Sequence, residues 1–215
     1  MYILNLVVFD MDGTLLNGRV IFALSKNWNF QDQLEEIMRS NLEEYKQSEQ
    51  IANLLKGFSV NKIREIIMTI PFTKGVKDTV ENLRKRGWIL GIMSDSYTIA
   101  TEYFCNELKM DFHIANKLEE INGKLTGKVV MPLGWSKTKC DCKRSVCKKH
   151  HLIYYAKHYG IPMSQTVAIG DNKSDLCIVR QAGFGIAFNP KYPGLSEEAY
   201  VTINKPDMRE LLKYL

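Results

Sequence analysis

Residues 4–14 read LNLVVFDMDGT. Leu4 to Phe9 is a short apolar run containing Val7 and Val8, and it ends at Asp10. Such a run reads as a buried strand of a parallel sheet with acids at its carboxyl end. Asp10 and Asp12 flank Met11, and Gly13 allows the chain to turn sharply. Two carboxylates this close repel, so the pattern predicts a cation beside them. Oxygen ligands suit Mg²⁺, which keeps waters and takes one or two carboxylates plus a substrate phosphate. A carboxylate beside that ion can also attack phosphorus and form an acyl phosphate.

From about Ile21 to Ile70 the pattern is helical. Leu34, Ile37, Met38, Leu42 and Tyr45 share one predicted face. Ile51, Leu54 and Leu55 form a second stripe, and Val60, Ile63, Ile66, Ile67 and Ile70 a third, with Ser59 as its N-cap. Pro71 closes the block. Strands and helices then alternate. Trp88 to Met93 predicts a strand ending at Ser94-Asp95, and Phe112 to Ala115 a third strand. Residues 118–130 predict a hairpin turning at Asn122-Gly123. Thr166 to Gly170 leads into Asp171, and Phe184 to Phe188 and Tyr200 to Ile203 follow. Alternation of this kind predicts an α/β fold, a doubly wound, Rossmann-like parallel sheet with crossover helices. The expected division is a core of residues 1–16 and 72–215 and a small helical cap, 17–71, inserted after the first strand. Ligands of such sheets bind beyond the carboxyl ends of the strands. Those ends offer Asp10, Asp12, Ser94, Asp95, Asp171 and Asp175.

Composition narrows the class. The 215 residues are 45% apolar and 25% charged, ordinary globular values that exclude disorder, collagen and coiled coil. No run approaches the roughly 20 apolar residues of a membrane span. The N-terminus has no basic n-region, so a soluble cytoplasmic protein is expected. Lys plus Arg, 29, less Asp plus Glu, 24, leaves +5. Residues 137–149 hold six basic residues and one acid, which is the same surplus. The basic balance is therefore one local patch and predicts no general nucleic-acid footprint. Five cysteines without a secretory context predict thiols or a metal site, not a disulfide framework.

DMDGT, Ser94, a basic residue upstream of the last acidic loop, and GDNKSD together resemble the haloacid dehalogenase superfamily of aspartate-nucleophile phosphatases. The likeness runs nearly end to end and is greatest to the phosphoserine phosphatase-like branch, in FTKGVKDTVENLRKRGWILGIMSDS and YGIPMSQTVAIGDNKSDLCIVRQAGFGIAFNPK. The resemblance implies a Mg²⁺-dependent phosphomonoester hydrolase acting on a small phosphorylated metabolite. It makes Asp10 the nucleophile and Asp12 the general acid and base, with the Asp12 carbonyl on the metal. Ser94 and the Asp95 N–H would hold the phosphoryl group. Asp171 would complete the metal site, and Asp175 would support it. The family's lysine registers on Lys148, with Lys149 as runner-up; the other basic residues of the patch are expected to be solvated.

The chain also departs from that branch. Arg19 falls at or beside the position of a glutamate that grips substrate, and QSEQIANLLKG lacks the cap arginine. Phosphoserine is therefore not expected to be clearly preferred. In KCDCKRSVCKKHH, Cys140, Cys142 and Cys147 with His150 or His151 offer four ligands of the kind Zn²⁺ takes, at an unfamiliar spacing; the alternative is free thiols. Cys105 and Cys177 are expected in the core, as are Trp28 and Phe30 in preference to the substrate site. Trp135 is weighed in the same way. Two other functions compete with hydrolysis: phosphotransfer to a small alcohol, and a phosphatase fold kept as a metal- or nucleic-acid-binding module.

Overall fold

A computed structural model describes residues 5–133, 138 and 140–215. β1, Leu6–Phe9, is the centre of a seven-stranded sheet. All four of its residues are buried, and they alternate between two apolar layers. Val7 and Phe9 face one cluster, Leu6 and Val8 the other. Full burial of such side chains contributes about 1.5–3 kcal/mol each, which fixes both the register and the faces.

β2, Ile89–Tyr97, lies on one side of β1 and β5, Thr166–Gly170, on the other. With β3, Phe112–Ile121, β4, Lys124–Val130, β6, Phe184–Phe188, and β7, Val201–Ile203, the order is β4-β3-β2-β1-β5-β6-β7. Only β4 runs antiparallel to its neighbour. Strand order thus reverses at β1, and the carboxyl ends of β2, β1 and β5 come out side by side, as a doubly wound sheet requires.

Two of the expected strands are longer than read. β2 runs on through Ser94-Asp95 to Tyr97, and β3 continues from Phe112 into the predicted hairpin. The first half of β3 pairs with β2 and its second half with β4. The turn falls at Asn122-Gly123, both with positive φ, as a two-residue hairpin demands.

Four helices lie between β1 and Pro71: α1, Val20–Trp28; α2, Gln31–Arg39; α3, Glu44–Leu54; and α4, Val60–Met68. The stripe on α4 is buried as expected, although the Ser59 side chain makes no capping bond. The stripe from Leu34 to Tyr45 is not one face. The chain breaks at Ser40, whose N–H and hydroxyl both bond the Ile37 carbonyl. Leu34 is buried, but Met38 is 40% and Leu42 36% exposed. Trp28 stacks on Phe58 at 4.0 Å, and Phe30 packs beside it, so both are core. The connection between α3 and α4 pairs with the hairpin through Gly57 to Leu125 and Val60 to Gly123 backbone bonds.

The other α-helices set out in full among the described residues are α5, Val76–Lys85; α6, Thr98–Glu107; α7, Lys148–His158; α8, Leu176–Gln181; and α9, Pro193–Glu198. Trp135, Lys137 and Lys139 lie outside the described residues. No helix among the described residues is long and apolar enough to cross a membrane.

Candidate active site

The strand ends assemble an oxygen cluster. Asp10 leaves β1 with its N–H bonded to the Ile169 carbonyl of β5. Carboxylate oxygens of Asp10, Asp171 and Asp175 lie within 4.8 Å of one another, and all three residues are buried. Two glycines make the approach possible. A Cβ on Gly170 would stand 2.2 Å from Asp175 Cγ, and one on Gly13 (φ 88°) would stand 2.4 Å from Asp171 Oδ2.

Lys148 drives into this cluster from the first turn of α7. Its side chain is 2% exposed, and Nζ donates to Asp10 Oδ1 and Asp175 Oδ1, both at 2.5 Å. Lys149, the alternative, instead lines a separate cavity of about 750 Å³ beside the cysteines. Asp175 is fully used: its Oδ2 accepts from the Asp171 and Asn172 N–H groups. Asp171 Oδ2 accepts from Lys191 Nζ at 2.6 Å, a partner that no motif in the sequence marked. Asp171 Oδ1 is buried without any hydrogen-bond partner.

That orphaned oxygen suits a cation. An unpaired buried carboxylate oxygen is costly unless a cation meets it. Asp10 and Asp171 fit a hard divalent ion, whereas Asp175 is committed to Lys148 and to backbone. The Asp12 side chain is not in this cluster. Its Oδ1 accepts from the Val20 N–H at the start of α1, at 3.0 Å, leaving its carbonyl as the group offered to an ion.

Electrostatics follow from burial. Desolvation raises the Asp10 carboxyl well above the usual range; Asp175 and Asp171 add repulsion, and Lys148 opposes it. Asp12 is pushed up to about 6 by desolvation, with the Val20 N–H opposing. Burial alone would lower the Lys148 ammonium. The carboxylates of Asp10 and Asp175 outweigh it and hold the group above its ordinary value. Asp171 is raised by burial against the pull of Lys191.

Above the cluster opens a cleft of about 400 Å³ lined by Asp10, Asp12, Arg19, Glu44, Asp95 and Arg144 among others. Ser94 is fully buried beneath it, its Oγ accepting from the Ser96 N–H. Arg19, at the α1 N-cap, lines the cleft with its guanidinium over the Phe22 ring. Arg144 corrects the expectation that the rest of the basic patch is solvated. Its side chain is 16% exposed, ion-paired with Glu44 of α3 and 3.5 Å from Asp95 Oδ2. A polar chain ties the same loop down: Ser48 Oγ donates to Ser145 Oγ, and Asn116 Nδ2 donates to Ser145 Oγ and to the Asp95 carbonyl.

The cysteines assemble a second cluster. Sulfurs of Cys140, Cys142, Cys147 and Cys177 lie within 4.8 Å of one another. The fourth member is Cys177 of α8, not a histidine and not a core residue as expected. His150 Nδ1 instead lies 3.0 Å from Cys147 Sγ. Cys105 is buried as expected. Only the three-dimensional fold reveals Arg144, Lys191 and Cys177. The one local cue was that Cys177 follows the GDNKSD motif by two residues.

Comparison with known proteins agrees with this arrangement. The signature of haloacid dehalogenase-like hydrolases matches residues 7–180. The chain is 32% identical over 215 residues to a phosphoserine phosphatase of Methanocaldococcus jannaschii, covering 98% of this chain and 97% of that one. It is 33% identical to one from Streptococcus thermophilus, covering 98% and 95%. A third, from Mycobacterium tuberculosis, is 33% identical but twice as long, and the chain spans 49% of it. Among solved structures, a phospho-aspartyl intermediate analogue of phosphoserine phosphatase superposes with a TM-score of 0.85 at 30% identity, covering 98% of both chains. The chain therefore belongs to the haloacid dehalogenase-like hydrolases. Within them it is a phosphatase of the phosphoserine phosphatase-like branch, hydrolysing phosphomonoesters through an aspartyl phosphate.

Proposed function

We propose that Asp10 is the nucleophile, Asp12 the acid and base, Lys148 the fixed cation and Mg²⁺ the metal, and that the substrate is a small phosphomonoester bearing both a carboxylate and an ammonium. The observation that carries the chemistry is Lys148 Nζ bridging Asp10 and Asp175 inside a three-carboxylate cluster. The Asp10 oxygen not held by Lys148 attacks phosphorus. The leaving oxygen takes its proton from Asp12, whose raised pKa keeps a protonated fraction near neutrality. Asp12 then removes a proton from water, which attacks phosphorus and breaks the bond to Asp10. Ser94, the Asp95 N–H and Lys148 offset the charge of the transferring group. Asp10, Asp171 and the Asp12 carbonyl would hold Mg²⁺, which supplies charge neutralisation at the phosphoryl oxygens. Asp175 positions Lys148, and Arg19 adds positive charge to the cleft.

On this reading residues 17–71 are a cap over a core of 1–16 and 72–215, and the cap excludes bulk water. Cysteines that form no disulfides suit a cytoplasmic setting. Excess EDTA should abolish turnover, Mg²⁺ should restore it and Ca²⁺ should not. Full activity in EDTA would sink the metal assignment.

The substrate rests on Arg144 and Glu44. QSEQIANLLKG carries no arginine, yet a guanidinium and a carboxylate both line the cleft from other positions. Arg144 suits a carboxylate and Glu44 an ammonium, and the relatives named above are phosphoserine phosphatases. Phosphoserine should exceed both phosphoethanolamine, which lacks the carboxylate, and phosphoglycolate, which lacks the ammonium, about tenfold or more in kcat/KM. Equal rates for phosphoethanolamine would refute the Arg144 assignment.

A further inference from the structure

We propose that Cys140, Cys142, Cys147 and Cys177 hold one Zn²⁺, a structural ion that fixes the loop carrying Arg144 and Lys148. Four sulfurs within 4.8 Å of one another are close to the spacing of a tetrahedral site, where zinc–sulfur bonds of about 2.3 Å put the sulfurs about 3.8 Å apart. They come from three segments. Cys140 and Cys142 lie in the loop, Cys147 is the N-cap of α7, and Cys177 sits in the first turn of α8. Thiolates select a soft or borderline ion, so this site and the oxygen cluster take different metals.

Two further features fit a thiolate centre. His150 Nδ1 stands 3.0 Å from Cys147 Sγ, where it can donate to a ligating sulfur as outer-shell partners do. A divalent ion on four thiolates is dianionic, and the chain's basic surplus is concentrated around it. Lys143, Arg144, Lys149, Lys173 and Arg180 line the adjoining cavity. Binding releases the four thiol protons to solvent and changes no oxidation state.

The position of the site gives it a role. Arg144 lies between Cys142 and Cys147, and Lys148 follows Cys147 directly. Cys177 stands two residues beyond Asp175, the other partner of Lys148. One ion would therefore tie together the starts of both helices that flank the lysine. Its effect on catalysis is positioning, since no cysteine lines the cleft.

The test is elemental analysis of the chain purified under reducing conditions. The expected result is about one zinc per chain. Co²⁺ substituted for it should show thiolate-to-metal charge transfer and tetrahedral ligand-field bands. Cys177→Ser and Cys142→Ser should lose the ion, Cys105→Ser should keep it, and His150→Ala should bind it ~10-fold more weakly. With Mg²⁺ in excess, Cys142→Ser should raise KM for the carboxylate-bearing substrate ~10-fold, with a smaller change in kcat, because Arg144 is displaced more than Asp10. If the serine variants do not fold, the wild type still decides: four thiols should react with a disulfide reagent only after zinc is extracted. Wild-type protein without zinc, disulfides in place of thiols, a cobalt spectrum lacking thiolate bands, or zinc retained in Cys177→Ser would each overturn the site.

Discussion

Two clusters of ligand atoms meet at the first turn of α7, one of oxygens and one of sulfurs, and a single peptide step separates Cys147 from Lys148. The oxygen cluster is built on the ends of two strands and the tight turn after β5. It is braced from within by Lys148 and Lys191. The sulfur cluster is built on a loop and two helix starts, and no ion pair among the described residues braces the sulfurs themselves. Repelling carboxylates need cations to coexist, and the chain supplies two lysines. Thiols are neutral until a metal deprotonates them, so they need none beforehand. The oxygen cluster is thus held by the fold and its own ion pairs, whereas on the zinc proposal the sulfurs rely on an ion.

Asp10→Asn should give the largest kinetic effect, with turnover falling to background. An amide cannot attack phosphorus or neutralise the ion. Stability should move the other way. Burial raises the Asp10 pKa above its unfolded value, so the ionised form at neutral pH opposes folding, and a neutral isostere removes that cost. The unfolding midpoint should hold or rise while activity disappears. Measurable Mg²⁺-dependent turnover in this variant would remove Asp10 from its role.

Lys148→Met separates bracing from chemistry. Without its cation, Asp10 and Asp175 are left buried and uncompensated, a loss of about 3–5 kcal/mol by the usual cost of breaking a buried pair. Urea unfolding in EDTA should show it, and kcat should fall ~10²–10³-fold. Lys149→Met, one residue on, should do neither. Equal effects from the two would undo the contrast between the clusters.

The same contrast explains what could be read in advance. Asp10, Asp12, Asp171 and Asp175 lie in local motifs at strand ends, where a few residues set their own geometry. Lys148 was reachable because no gap intervenes before the following strand. Arg144, Lys191 and Cys177 reach their partners only through tertiary folding, and a basic run or one helical cysteine carries no mark of that. The stripe from Leu34 to Tyr45 failed for another reason. Its helical period continues by coincidence across the break at Ser40, where no proline or glycine punctuates the chain.

Arg144→Gln should cost ~10–100-fold in kcat/KM for the carboxylate-bearing substrate and far less for phosphoethanolamine. A shorter, neutral amide stays polar but loses the ion pair with Glu44 and the charge that meets a carboxylate. Losses that are uniform across substrates would assign Arg144 to the loop's architecture instead.

The smallest expected effect falls where α3 touches the loop. Ser48 Oγ donates to Ser145 Oγ at 3.2 Å, and Ser145 also accepts from Asn116, which holds the Asp95 carbonyl at 2.7 Å. Ser48→Ala removes the outermost bond of this chain together with the same hydroxyl's bond to the Glu44 carbonyl, a loss of about 0.5–1.5 kcal/mol where the group is partly buried. Ser145 keeps Asn116, and Asp95 keeps its position, so kcat should stay within about twofold. What loosens is the seat of α3 on the loop, and with it the Glu44–Arg144 pair one turn earlier. KM for the amino-acid phosphate should therefore rise about two- to threefold with kcat unchanged. A fall in kcat equal to the rise in KM would mean that the bond reaches through Asn116 to the phosphate loop, and that α3 and the strand ends act as one unit.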